Sequence, residues 1–419
     1  MGSALRSSLA RVNAVLIKQW GESEMNSSTV RALSWVGAGV GLFLGVEISA
    51  YSKNTYDFEY LPADGDYLDL PYRGLVHPRV NDQGPASGEL GPFDEPVAAR
   101  SDTEVLAARI SPARAQGSRG TCSIFSATAL LEAHLSLRRG WKTSQADFSE
   151  EWLEYLAMQN QTGDGSSSLT NFSNLLRFGT VAEASWPYLG ETWKDTSSGL
   201  ARQRCGSLEG TLLTTCLLGH RDPRLLRATD EELLARSSPL FDSEFARIRS
   251  EARALQQKEL PRRGGQALPT FMVYDTQTVK RLLRQGEPLT LDVDFYYGAW
   301  NHSKAPSFGL KRNLAHWAEG IVGYPSKGSL DARVSKANPA GHSVLIVGYD
   351  DELVVTVPTQ MEDGTVKDFT FKGVYYFKNS WGRDNFGLRT RIGGQNFPGY
   401  GMITQDYAQQ FGSFYRLPL

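Results

Sequence analysis

The sequence predicts an α+β protein in two lobes, helices first and strands second. Two pattern changes carry that expectation. From Ile110 to about Ala267 the apolar residues recur at helical spacing; from Pro288 onward they alternate as in half-buried strands. In 419 residues, 41% hydrophobic and 21% charged, there is ample material for a core. The net charge of −2 shows no basic excess for nucleic acid, and none is expected as a partner.

The elements follow in order. Residues 1–50 read as a targeting segment. Ala32–Val46, "ALSWVGAGVGLFLGV", carries no charge and is 15 residues long, short of the roughly 20 that a membrane span needs. It fits a secretory apolar region with Ile48–Ala50 as a loose cleavage site, and translation from Met25 would make that signal compact. An uncleaved anchor and an acid-free transit helix at Ser3–Trp20 are the rival readings. Export is the leading expectation, with no stable membrane span left after processing. Residues 51–105 are rich in Pro, Gly, Asp and Tyr turn signals and read as an extended pro-segment or linker.

Ile124, Ala127, Leu131 and Leu135 mark one helix face. Asp147–Gln159 is a second helix with Ser149 as N-cap, and "SLTNFSNLLRFG" a third, stopped by Gly179. Residues 191–267 are polar and helical and read as an insertion. Then come alternating strands, "PLTLDVDFYYG", "HSVLIVGYD" and "GVYYFKNSWG", with a hairpin insertion around 351–372.

Chemistry concentrates at "QGSRGTCSIFSA", Gln116–Ala127. Cys122 stands where a glycine-rich loop meets a helix, so the helix N-terminus favours its thiolate. Of six histidines, His134 lies on the same helix, roughly 18 Å along its axis and out of reach. His77 falls in the irregular stretch and His220 in the insertion; His302 and His316 fall in a long connection. His342, at the mouth of an apolar strand behind Gly341, is best placed to act as base. Asn379 can orient its ring, Trp381 can cover that bond, and the Gln116 amide can join the Cys122 backbone N–H on an oxyanion. Cys205 and Cys216 are one candidate disulfide pair, enclosing a plausible surface loop; three buried reduced thiols are the alternative. There is no H-E-x-x-H, P-loop, serine-hydrolase elbow or paired zinc spacing.

"QGSRGTCSIFSA", "GHSVLIVGYD" and "YFKNSWG" together resemble the papain- and cathepsin-type cysteine peptidases, in that order along the chain. "ISPARAQG", "FSEEWLEYLA", "GTVAEASWPY", "TQTVKRLLRQGEPLTLDV" and "GYGMIT" extend the likeness from Ile110 to the C-terminus. The resemblance implies a papain-like domain over residues 106–419: a helical lobe, then an antiparallel β-barrel-like lobe, with a cleft between. It implies Cys122 as nucleophile, His342 as general base and then acid, Asn379 as orienter, Gln116 as oxyanion donor and Trp381 as shield. Gly163 and Gly165 would line the wall that binds substrate backbone. It implies hydrolysis of a peptide or protein substrate through a thioester, no cofactor or metal, and an inhibitory pro-segment in cis. An inactive binding module and an acyl-transferring transamidase or ligase use the same residues. The sequence also departs from the family. Arg119 stands where a disulfide cysteine is usual, Ser123 and Phe386 where tryptophans are, and the Cys-to-His separation of 220 residues (342 − 122) is long.

Overall fold

A computed structural model of the chain describes residues 103–159, 161–260, 272–273 and 275–417. The chain divides into two units, Met1–Asn54 and Thr55–Leu419, and every described residue belongs to the second. The expected targeting segment and nearly all of the expected pro-segment lie outside the described residues.

Helices come first. After α1 (Thr103–Arg109), α2 (Cys122–Arg138) is the hub of the helical lobe. Every residue from Cys122 to Ser136 is buried, so α2 is enclosed on all faces and lacks the polar stripe of a surface helix. That differs from the single apolar face expected, because two helices and the sheet pack around it. The helix α3 (Glu150–Ala157) begins at Ser149, whose side chain accepts from the Trp152 amide. The helix α4 (Ser168–Phe178) stops at Gly179, whose φ of 74° suits glycine. Then come α5 (Gly199–Cys205), α6 (Gly210–Gly219), α7 (Asp230–Leu234) and α8 (Ser243–Glu259).

Strands follow. The main sheet comprises β1 (Met272–Val273), β2 (Leu289–Asp294), β3 (Ile321–Val322), β4 (Gly341–Gln360), β5 (Val366–Lys378), β8 (Tyr400–Thr404) and β9 (Gly412–Tyr415). A small ribbon pairs β6 (Arg391–Ile392) with β7 (Gln395–Asn396). The sheet order is β1-β9-β2-β4-β5-β8-β3, antiparallel except where β3 runs beside β8. The described strands form an open sheet and not the barrel-like closure expected; the two end strands, β1 and β3, are two residues each and do not meet. Nor do β2 and the first half of β4 alternate: Leu289–Val293 and Gly341–Tyr349 are buried on both faces. The expected hairpin insertion is a continuation of β4 and β5 beyond the sheet, paired from Val354–Lys372 out to Gln360–Val366. One apolar core runs through both lobes. A second, small core surrounds Cys205 and Cys216 with Trp193, Ala201 and Leu208.

Candidate active site

Cys122 is the first residue of α2. The N-cap residue, Thr121, makes no side-chain capping bond, which leaves the first helix amides facing the thiol. The thiol is fully buried and free of any disulfide. It is held by a backbone hydrogen bond at Ser343, the residue after His342 in β4. Burial pushes it up to about 12, and Asp292 adds to that. The backbone bonds at Ser343, Ser123 and Cys122 pull the other way and lose.

His342 enters from β4, with Val293 of β2 opposite it in register. Its Nε2 lies 2.8 Å from Asn379 Oδ1. The amide oxygen only accepts, so Nε2 carries the proton and donates. The Nδ1 atom is then a bare lone pair, buried and without a hydrogen-bond partner. Burial lowers His342 to about 3, despite the opposing pull of Asn379; His302 lowers it further. Asn379 follows the end of β5 and is fixed by the Ser380 amide, 2.8 Å from the same Oδ1. Trp381 lies over the imidazole at a ring-centroid distance of 4.7 Å and stacks on Trp317. Phe295, Trp300, Phe386 and His302 complete that wall.

Gln116 is fully buried in the loop before Cys122. Its Oε1 accepts from Ser380 Oγ at 2.6 Å, and its Nε2 donates to the Arg119 carbonyl at 2.8 Å. Its own carbonyl accepts from the Tyr188 hydroxyl at 2.9 Å. One N–H of the amide is thus spent on the loop itself and one is left.

Arg119 organises the other wall. Its guanidinium makes two bonds to Asp164, at 2.8 and 2.6 Å. It also donates to the Glu191 and Leu218 carbonyls, at 2.9 and 2.8 Å. His220 Nε2 lies 3.0 Å away, and Glu154 Oε1 is an ion-pair contact at 2.5 Å. Burial alone would raise Asp164, but Arg119 outweighs it and holds the carboxyl below its usual range. Glu154 stays well above its usual range because burial outweighs Arg119. Asp164 sits between Gly163 and Gly165 and also accepts from the Gly120 amide at 3.1 Å. The two candidate wall glycines are therefore tied to the loop that ends in Cys122. Space beside Gly163 is open, and Gly165 has a φ of 122°.

Cys205 and Cys216 form a disulfide with a Cα separation of 5.8 Å. The bond clips α5 to α6. Both cysteines are buried in their own small core, covered by Trp193 and Leu208, while most of the residues they enclose are exposed. Leu218, in the last turn of α6, and His220, just after it, reach Arg119.

The structure thus brings Cys122, His342, Asn379, Trp381 and Gln116 into one neighbourhood and places Gly163 and Gly165 beside it. Sequence reasoning missed Arg119, Asp164, Ser380 and His302. A charged residue inside a glycine-rich loop was the available signal for Arg119.

No family model and no curated protein matches the sequence. Solved structures do. The chain is similar to papain-like cysteine proteases. It resembles the cysteine protease and lectin-like domains of Cwp84, a surface-layer-associated protein of Clostridium difficile, at 16% identity and a TM-score of 0.41, covering 91% of this chain and 60% of that one. It resembles xylellain, a cysteine protease from Xylella fastidiosa, at 14% identity and a TM-score of 0.40, covering 87% and 97%. It resembles the bromelain protease of Ananas comosus at 14% identity and a TM-score of 0.38, covering 76% and 99%. The chain spans about three fifths of the length of the Cwp84 chain.

Proposed function

We propose that this chain is a papain-like cysteine peptidase. The observation that carries the reading is the His342–Asn379 bond of 2.8 Å, which leaves Nδ1 open, while the next residue, Ser343, holds a buried free thiol at a helix N-terminus through its backbone. In the proposed reaction the Cys122 proton passes to His342 Nδ1 as Sγ bonds to the peptide carbonyl carbon. The oxyanion is held by the Cys122 amide and the remaining N–H of Gln116. His342 then protonates the leaving amine, and a thioester remains. Water, deprotonated by His342, adds to the thioester and releases the acid and the thiol. Trp381 keeps bulk water off the His342–Asn379 bond, and Gly163 and Gly165 offer backbone to the substrate.

Burial raises the Cys122 thiol and lowers His342, which favours thiol and neutral imidazole over the expected thiolate–imidazolium pair as long as the site stays enclosed. This fits a chain not yet open to substrate. We infer that residues 51–105 act as a pro-segment whose removal opens the site, and that the protein is exported, in keeping with its disulfide. Among the described residues no helix is long and apolar enough to cross a membrane.

The test is turnover of a mixed peptide library by the full chain and by a form trimmed near residue 105, each with a C122A control. Cleavage by the trimmed form that C122A abolishes supports the reading. Cleavage that survives in C122A refutes it.

A further inference from the structure

One buried carboxylate at the site has no part in that reaction. Asp292 lies in β2, opposite Ser343 in the register of β4. Its Oδ1 accepts from Ser343 Oγ and from Ser168 Oγ, each at 2.7 Å, and its Oδ2 accepts from the Ser168 amide at 3.0 Å. Ser168 is the first residue of α4. Its hydroxyl in turn accepts from Thr290 at 2.7 Å.

Ser343 donates to Asp292, so its other hydrogen bond, 2.6 Å from Ser126 Oγ, is one it accepts. Ser126 is one turn on from Cys122 in α2, on the same face. Two lines of hydroxyls, Ser126 to Ser343 and Thr290 to Ser168, therefore both point at one carboxylate. Between them they join α2, α4, β2 and β4.

A carboxylate is costly to bury without a cation. The groups that act on Asp292 are Ser168 and Ser343, with burial raising it to about 6. The ionisable side chain that it acts on is Cys122. Three serine contacts to a carboxylate, one of them from the residue whose backbone holds the Cys122 thiol, are more than a passive core needs; an alanine there would bury nothing polar.

We propose that Asp292 is a positioning residue for the Cys122–His342 pair: by gripping Ser343, and Ser126 through it, Asp292 sets the strand that carries the base against the helix that carries the thiol. Its negative charge also opposes the thiolate. This inference rests on the peptidase reading above.

The experiment uses the form trimmed near residue 105 and follows iodoacetamide modification of Cys122 by peptide mass spectrometry from about pH 4 to about pH 10, with peptide turnover in parallel. Asp292→Asn keeps the shape and removes the charge. Its modification midpoint is expected to fall by about one pH unit, with kcat down about 10-fold and KM nearly unchanged. Ser343→Ala breaks the hydroxyl link and keeps the charge. It is expected to lower kcat while leaving the midpoint near that of the wild type. An unmoved midpoint in Asp292→Asn overturns the inference. If that variant does not fold, wild-type kcat in Ser343→Ala overturns it. A wild-type Cys122 no more reactive than a denatured cysteine, with no turnover, counts against the peptidase reading instead.

Discussion

The two walls of the site are built from opposite materials. On the Gln116 side, a buried guanidinium ties two backbone carbonyls and a carboxylate together through directed bonds. On the His342 side, an imidazole with one hydrogen bond sits in a box of rings. Directed bonds fix where backbone donors point, which an oxyanion site needs. Packed rings fix little in angle but keep water away, which a single His–Asn bond needs. The comparison says which wall fails sharply when one group is removed and which fails gradually.

Removal of the reacting groups themselves breaks both walls' purpose at once. Cys122→Ala and His342→Ala are each expected to cut kcat by on the order of 10⁶, and the double variant hardly more, because the pair acts as a unit. Initial rates on a fluorogenic peptide check this.

On the ionic wall, Arg119→Met strands Asp164 without its cation. It is expected to cost about 3–5 kcal/mol in denaturant unfolding, whereas the double variant Arg119→Met/Asp164→Leu should recover much of the loss. A double variant no better than the single one would show that the ion pair is not what matters there. Gln116→Ala should lower kcat by roughly 10²–10³, the effect of one oxyanion donor.

The aromatic wall should yield less. Trp381→Phe keeps a ring over the imidazole and should cost about 1 kcal/mol in stability, with a modest fall in kcat. His342 also writes a pH signature. Its folded value of about 3 lies below the ordinary histidine value, so unfolding takes up a proton on acidification. Its contribution to stability is complete above about pH 6.5 and is lost as pH falls toward 3. His134, buried and also lowered to about 3, shares that limb. Urea midpoints measured across this range should flatten in part for His342→Gln, leaving the share of His134.

Most of this was legible in the chain because it is local. The Ser149 cap and the Gly179 stop mark their helices through bonds within a few residues. The order of Cys122, His342 and Asn379 is a motif order, and the structure sets two of them 2.8 Å apart. What escaped was non-local. Arg119 reads only as a departure from the family pattern until Asp164 and Leu218 close on it from 45 and 99 residues away. The reversed thiol and imidazole shifts escaped for the same reason, since burial is a property of the packed whole. The open sheet escaped because strand alternation says how a strand is covered, not whether its edges meet.

The register of β2 has a consequence for the newly made chain. One edge of β2 is taken by β4, and the other by β9, where Thr290 meets Tyr415 and Val293 meets Gly412. The thiol thus leaves the ribosome 220 residues (342 − 122) before its base. The strand β2, which pairs with the strand that carries His342, waits for residues 412–415 before its second edge is paired. Contacts so far apart in sequence form late and slowly. On the proposed reading, a nascent chain therefore carries the Cys122 thiol without a fully assembled partner strand until residues 412–415 have been made.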